Sequence, residues 1–404
     1  MRPTFDNISK SYAYSFLFSL AFTEAIWMLY LAYRGMSLVQ IGLLESIFHL
    51  TSLAMEVPTG ILADRLGRRT SRVLSRAVAL VASVLMILGR TFPGFAIAFV
   101  LSALSYNLES GAGDALVYDS LVDAGREQDY MKVKGRLEIA FQGARGLALV
   151  AGGFLATISY ELAYGLTAAV HGLAMVTALT FVEPRAGKAD RKAGTGWLPA
   201  LAAHCRESLQ VFRANRRILS HILFIETFSL FYATLYFYFQ NFLKAQGYRE
   251  SGIGVILALS ATGGVLAATQ THRIEQGLGR LWLVRLAPAA AIAAFAGIAF
   301  TRLEPVFMVL LAMIEGMLFV SFSDYINRMI PSGSRATLLS LQAMVYSVMM
   351  IFFFPLVGAL AQSRGFKTAF AVIFAAAVLV LVGAQQLLLR SLKGAEEPAR
   401  PGPG

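Results

Sequence analysis

Glu56 to Arg72 reads EVPTGILADRLGRRTSR. With Arg76 just beyond it, the stretch places Arg65, Arg68, Arg69, Arg72 and Arg76 within thirteen residues, with glycines and Asp64 among them. In a soluble chain such a cluster reads as a nucleic-acid patch. The surroundings decide otherwise. Of 404 residues 57% are hydrophobic and only 15% charged, against about 25% charged in soluble domains. Mean hydropathy is +0.62. The solvent for this chain is a bilayer, and its formal charge of +11 is read first as Lys and Arg gathered in cytoplasmic loops, not as affinity for nucleic acid.

A spanning helix needs about 20 mostly apolar residues. Twelve such stretches occur, near 10–33, 37–63, 71–89, 92–119, 131–157, 160–182, 216–243, 250–272, 280–300, 303–330, 337–362 and 366–390. The expected fold is therefore an all-α polytopic membrane protein of twelve transmembrane helices. A polar break separates the sixth from the seventh, which divides the chain into an N-terminal six-helix bundle (1–183), a linker (184–215), a C-terminal six-helix bundle (216–391) and a disordered tail (392–404). Within the linker, WLPALAAHCRESLQVFR has the pattern of an amphipathic surface helix. The apolar stretch after the N-terminus is too long for a signal-peptide core and is expected to stay in the protein.

Charge tests this layout. With the N-terminus inside, cytoplasmic segments carry 27 of the 35 Lys and Arg and the opposite face seven; Arg145 alone falls within a span. The asymmetry places both termini in the cytoplasm. The halves also echo one another. A shift of about 206 residues lays Glu109 on Glu315, each followed by small residues and an acidic–aromatic pair. Six-helix halves repeated in parallel are a transporter feature.

Gly60, Leu62, Asp64, Gly67, Arg68 and Arg69 stand at the spacing of a signature between the second and third helices, and here the sequence resembles the major facilitator superfamily. The resemblance, in particular to bacterial drug-efflux-like members with an EVPTG start, implies alternating access by a monomer in the bacterial cell membrane. It also implies a latch that holds the two halves together when the cavity faces outward, formed here by Gly60, Asp64, Gly67, Arg68, Arg69 and Asp119. Physically, Gly60 and Gly67 permit a tight turn and close backbone approach, and Asp64 can accept hydrogen bonds from a helix N-terminus. Arg65, Arg72 and Arg76 read as topology anchors.

Ionisable groups at bilayer depth are costly and mark candidate functional sites. Glu24, His49 and Arg145 lie about 21 Å from the cytoplasmic ends of their helices, and Glu45 shares a face with His49 one turn away. Glu24, Glu109, Glu226 and Glu315 fall on the first, fourth, seventh and tenth helices, the four that line the central cavity in the family. Burial disfavours the charged carboxylate, so such a group can exchange a proton for a cationic or polar substrate. Glu24 could equally serve packing by pairing with Arg145, and His49 could be a satisfied interior histidine. Tyr232, Tyr236 and Phe239 form one aromatic stripe of the seventh helix, a wall suited to amphipathic compounds.

Two features depart from the family. No arginine in the fourth helix corresponds to its proton-transfer residue, and GARGLALVAGG keeps Gly146, Gly152 and Gly153 but lacks the antiporter proline. One cysteine excludes a disulfide framework. With no metal-spaced histidines and no phosphate-binding loop, no cofactor, metal or enzymatic centre is expected, although a polytopic enzyme or sensor is a remote alternative. The reading is a proton-coupled exporter of small amphipathic or cationic compounds; the alternative is uptake or facilitated transport of a sugar, metabolite or lysolipid.

Overall fold

A computed structural model describes residues 6–186, 206, 216–329 and 335–393. Apart from residue 206 the amphipathic linker segment lies outside these residues; so does the tail beyond Lys393, its first two expected residues continuing the last helix. Every regular element described is helical, as a lipid environment demands of a chain that must satisfy its own backbone. The first half comprises α1 (Asp6–Ser19), α2 (Trp27–Tyr33), α3 (Leu38–Leu66), α4 (Arg68–Leu88), α5 (Phe92–Asp123), α6 (Tyr130–Ile158) and α7 (Tyr160–Leu179). The second comprises α8 (Arg216–Ala245), α9 (Glu250–Leu278), α10 (Arg280–Phe300), α11 (Glu304–Met329), α12 (Arg335–Arg364) and α13 (Phe366–Lys393).

Ten of these segments are long and apolar enough to span a bilayer, and residues Arg285–Phe300 of α10 form a shorter apolar helix. The twelfth span is α1 with α2, and here expectation and structure differ. Instead of one helix over 10–33, the chain leaves helical geometry between Leu20 and Ile26 and resumes at Trp27. Apolarity alone cannot reveal such a break, because its residues are as oily as their neighbours.

Local signals set the ends. Ser37 begins α3 with a reciprocal capping box, its side chain accepting from the Gln40 amide at 3.2 Å while Gln40 accepts from the Ser37 amide at 2.9 Å. Gly67 separates α3 from α4 at φ 98°, where a side chain would be strained. Its counterpart is Gly279, at φ 81° between α9 and α10. The starts of α3 and α9, of α4 and α10, and of α5 and α11 are each 212 residues apart, as are these glycines. The internal repeat thus runs at 212 through the second, third and fourth spans of each half, whereas α7 and α13 start 206 residues apart. In that register Glu109 matches Ser321, and Glu315 matches Ala103. The match at 206 pairs two glutamates that occupy different turns of their helices.

Contacts gather the chain into two compact units: Met1–Leu201 with Gln240–Ala258, and Ala202–Phe239 with Leu259–Gly404. The end of α8 and the start of α9 therefore pack with the first unit. Close packing there runs through α6. A side chain at Gly152 would collide with the Phe22 carbonyl in the break of the first span, and one at Gly153 would lie 2.6 Å from the Glu250 carbonyl and 3.0 Å from Gly254. Among the described residues, a side chain at Gly60 would meet nothing within 4 Å, so close approach does not explain that glycine.

Candidate functional site

The opening arginines do more than mark an interface. Arg68, Arg72 and Arg76 recur every four residues and form one stripe of α4. Arg68 donates to Asp64 at 2.8 Å and lies 3.9 Å from Asp119 on α5. One turn deeper, Arg72 is 5% exposed, against the expectation of a topology anchor. Its Nε donates to Glu109 Oε1 at 2.9 Å, and Nη2 lies 2.9 Å from the same oxygen. Tyr14 of α1 donates its hydroxyl to Glu109 Oε2 at 2.6 Å, while its ring centre lies 3.9 Å from the Arg72 guanidinium carbon. Arg76 is 4% exposed, and no carboxylate pairs with it among the described residues. It donates to Ser75 and Ser105 hydroxyls at 2.9 and 3.2 Å and lies 3.5 Å from His171 Nδ1. A guanidinium only donates, so that nitrogen presents its lone pair. The Phe18 ring covers Arg76 at 4.3 Å.

The helix-terminus role assigned to Asp64 belongs to Glu183, beyond α7. Its two carboxylate oxygens accept from the Arg68 and Arg69 amides at 2.7 and 2.9 Å, placing negative charge on the positive end of α4. Gly67 leaves the room, since a side chain there would lie 2.5 Å from Glu183 Oε1. Arg69 turns the other way and donates to the Leu179 carbonyl at 2.7 Å.

The predicted acids separate into two kinds of setting. In the first unit both Glu24 and Glu109 meet arginines. Glu24 sits in the break between α1 and α2 and accepts from Arg145 Nε at 2.7 Å and Nη2 at 2.5 Å. The side chains of Glu24 and Arg145 remain 25% and 33% exposed, and Gln240 donates to the Glu24 carbonyl at 3.1 Å. Glu45 and His49 pair at 3.5 Å in a buried setting. In the second unit Glu226 is 7% exposed and accepts from the neutral Gln342 amide at 2.6 Å. Glu315 lies near enough to act on it electrostatically. Of the aromatic stripe, Tyr232 and Tyr236 rings lie 5.9 Å apart and Phe239 is fully buried.

A cavity of about 230 Å³ opens between α1, α5 and α6 beside this network, lined by Ser11, Tyr14, Arg72, Glu109, Asp114 and Lys134 among others. Lys134 holds Asp114 at 2.5 Å. Sequence reading missed Tyr14, Arg72 and Arg76, although the four-residue spacing of the arginines was visible in it.

Known proteins agree with this architecture. The chain is 24% identical over 381 residues to the uncharacterized MFS-type transporter YxaM of Bacillus subtilis (strain 168), covering 93% of this chain and 94% of YxaM. It is 31% identical over 122 residues to the inner membrane transport protein YajR of Escherichia coli (strain K12), 30% of this chain and 26% of YajR. A crystal structure of a point mutant of the nucleoside transporter NupG superposes with a TM-score of 0.77 at 15% identity, covering 94% of this chain and 99% of that one. A bacterial homolog of the human lysosomal transporter Spinster gives 0.72 at 17% identity, over 99% and 100%. The Major Facilitator Superfamily profile matches residues 11–354. With its helical repeat and its apolar spans, this chain belongs to the major facilitator superfamily.

Proposed function

We propose that this transporter is a secondary active exporter of small amphipathic or cationic compounds in the bacterial cell membrane, working by alternating access and exchanging substrate for protons. The observation that supports the reading is the unequal neutralisation of its buried acids. Glu24 and Glu109 each face an arginine at ion-pair distance. Glu226 is as buried as Glu109, yet among the described residues it has a neutral amide donor and a second carboxylate nearby in place of an arginine. An ionised carboxylate in that setting is costly, and either a proton or a cationic group removes the cost. The exchange therefore centres on Glu226 and Glu315. The partly exposed Glu24–Arg145 pair, at a helix break, orients the substrate, since interrupted membrane helices present polar groups at mid-depth.

The test begins with a growth-inhibition screen in an efflux-deficient host to find an exported compound. Its transport into inverted vesicles is then followed under an imposed pH gradient. Glu226→Gln is expected to bind the compound but lose gradient-driven accumulation. Full retention of pH-dependent transport by that variant would overturn the proton-site assignment.

Uptake of a polar metabolite is the second reading, favoured by the likeness to a nucleoside transporter. It predicts accumulation of labelled nucleoside by intact cells, which an exporter of amphipathic cations does not support.

A further inference from the structure

We propose that Glu45 and His49 of α3 form a second proton-binding site, within the first unit, that adds one proton to the exchange. The two residues are four apart and share a face of the helix, with Glu45 Oε1 3.5 Å from His49 Nε2. Counted from Leu38, they lie roughly 10 and 16 Å along α3. Their side chains are 12% and 10% exposed, so neither is sealed off. An ionised Glu45 is costly at that depth. Two states remove the cost: a carboxylic acid beside a neutral imidazole, or a carboxylate beside an imidazolium. Each state holds one proton on the pair, which therefore titrates as a unit. Glu24 and Glu109 differ, because the arginines that face them keep their charge permanently.

The same face continues toward the cytoplasm through Ser52, Glu56 and Thr59, spaced by three or four residues. Ser52 donates to Asn107 Oδ1 at 2.7 Å, and Asn107 Nδ2 donates to the Ser52 carbonyl at 2.6 Å, so α5 fixes the turn below His49. Tyr106 of α5 lies near enough to Glu56 to act on it electrostatically. The cations of the other elements packed on α3 turn elsewhere. Arg34, at the end of α2, donates to the Ile87 and Gly89 carbonyls. On α4, Arg68 reaches Asp64 at the far end of α3, Arg72 holds Glu109, and Arg76 donates to Ser75 and Ser105. The structure thus sets Glu45 against a group whose charge a proton creates and removes. This inference rests on the proton exchange proposed above and deepens it. It does not involve Glu226 or Glu315, so the two can fail separately.

Inverted vesicles carrying the full-length protein supply the test, with the membrane potential clamped at zero and the interior one pH unit more acidic. They receive the exported compound found in the growth screen. Each coupled proton supports about tenfold accumulation per pH unit. With one proton at Glu226 and Glu315 and one on the α3 pair, wild type should reach about 100-fold, and Glu45→Gln or His49→Gln about tenfold. Exchange at equal pH should continue in both variants, which shows them folded. A pH-sensitive dye in the lumen counts the protons directly in the wild type, and two per compound are expected. A count of one overturns the second site whatever the variants do, as does undiminished accumulation by Glu45→Gln and His49→Gln. Accumulation with no proton movement in the wild type overturns the exchange reading, and this site with it.

Discussion

Arg72 shows how a single residue changes meaning between sequence and structure. On paper it is one of several basic residues beside a membrane interface. In the folded chain it bridges α1, α4 and α5 by holding Glu109 and stacking on Tyr14. Leaving one member of such a buried pair alone costs about 3–5 kcal/mol, whereas replacing both by neutral groups of similar size is nearly neutral. Arg72→Met should therefore lower the melting temperature sharply, and Arg72→Met with Glu109→Gln should recover most of the loss. Equal melting temperatures for the single and double variants would show that an unpaired Glu109 carries no cost. The spacing of Arg68, Arg72 and Arg76 was legible beforehand. Their partners were not, because Glu109, Ser105 and His171 come from helices whose rotation no single sequence specifies.

At the scale of elements, the junction of α3 and α4 depends on two residues 116 positions apart, Gly67 and Glu183. Gly67 has φ 98° and ψ 158°, a region that costs a non-glycine residue about 1–3 kcal/mol, and a side chain there would also displace the Glu183 carboxylate. Glu183→Gln keeps the shape and removes the charge, at a cost of about 0.3–1 kcal/mol at a helix N-terminus. Gly67→Ala is thus expected to destabilise more than Glu183→Gln, measured as melting temperature in detergent; the reverse order would assign the junction's stability to charge alone. The signature made the turn readable from the sequence, but not the cap, which arrives from the far end of the half. The break between α1 and α2 was equally hidden. It depends on the Phe22 carbonyl lying against Gly152, and apolar periodicity carries no record of that approach.

For the whole molecule, composition and the long polar break were enough for twelve spans in two halves. The repeat does not keep one register: the positive-φ glycines Gly67 and Gly279 and three pairs of helix starts give 212 over the stretch where Glu109 and Glu315 lie, while α7 and α13 start 206 residues apart, as the sequence suggested. The sidedness inferred from 27 Lys and Arg against seven has its own check. Cys205 is the sole cysteine and belongs to the central polar segment. A membrane-impermeant maleimide should label it in inverted vesicles and leave it unmodified in intact cells, and labelling of intact cells would reverse the orientation.

The contacts of Glu183 also bear on how the first half is made. Its carboxylate closes α4, while Asn7 donates to the Val182 carbonyl at 2.8 Å and accepts from the Val182 amide at 2.9 Å. The opening turn of the chain is thus stitched to the residues that follow the sixth span. During synthesis those partners emerge last, so five inserted helices would still wait with α4 uncapped and Asn7 held by Ser120 but not by Val182. Closure of the half is therefore expected to wait for these last residues, and a nascent chain cut short of position 182 should stay open to proteases that the finished half resists.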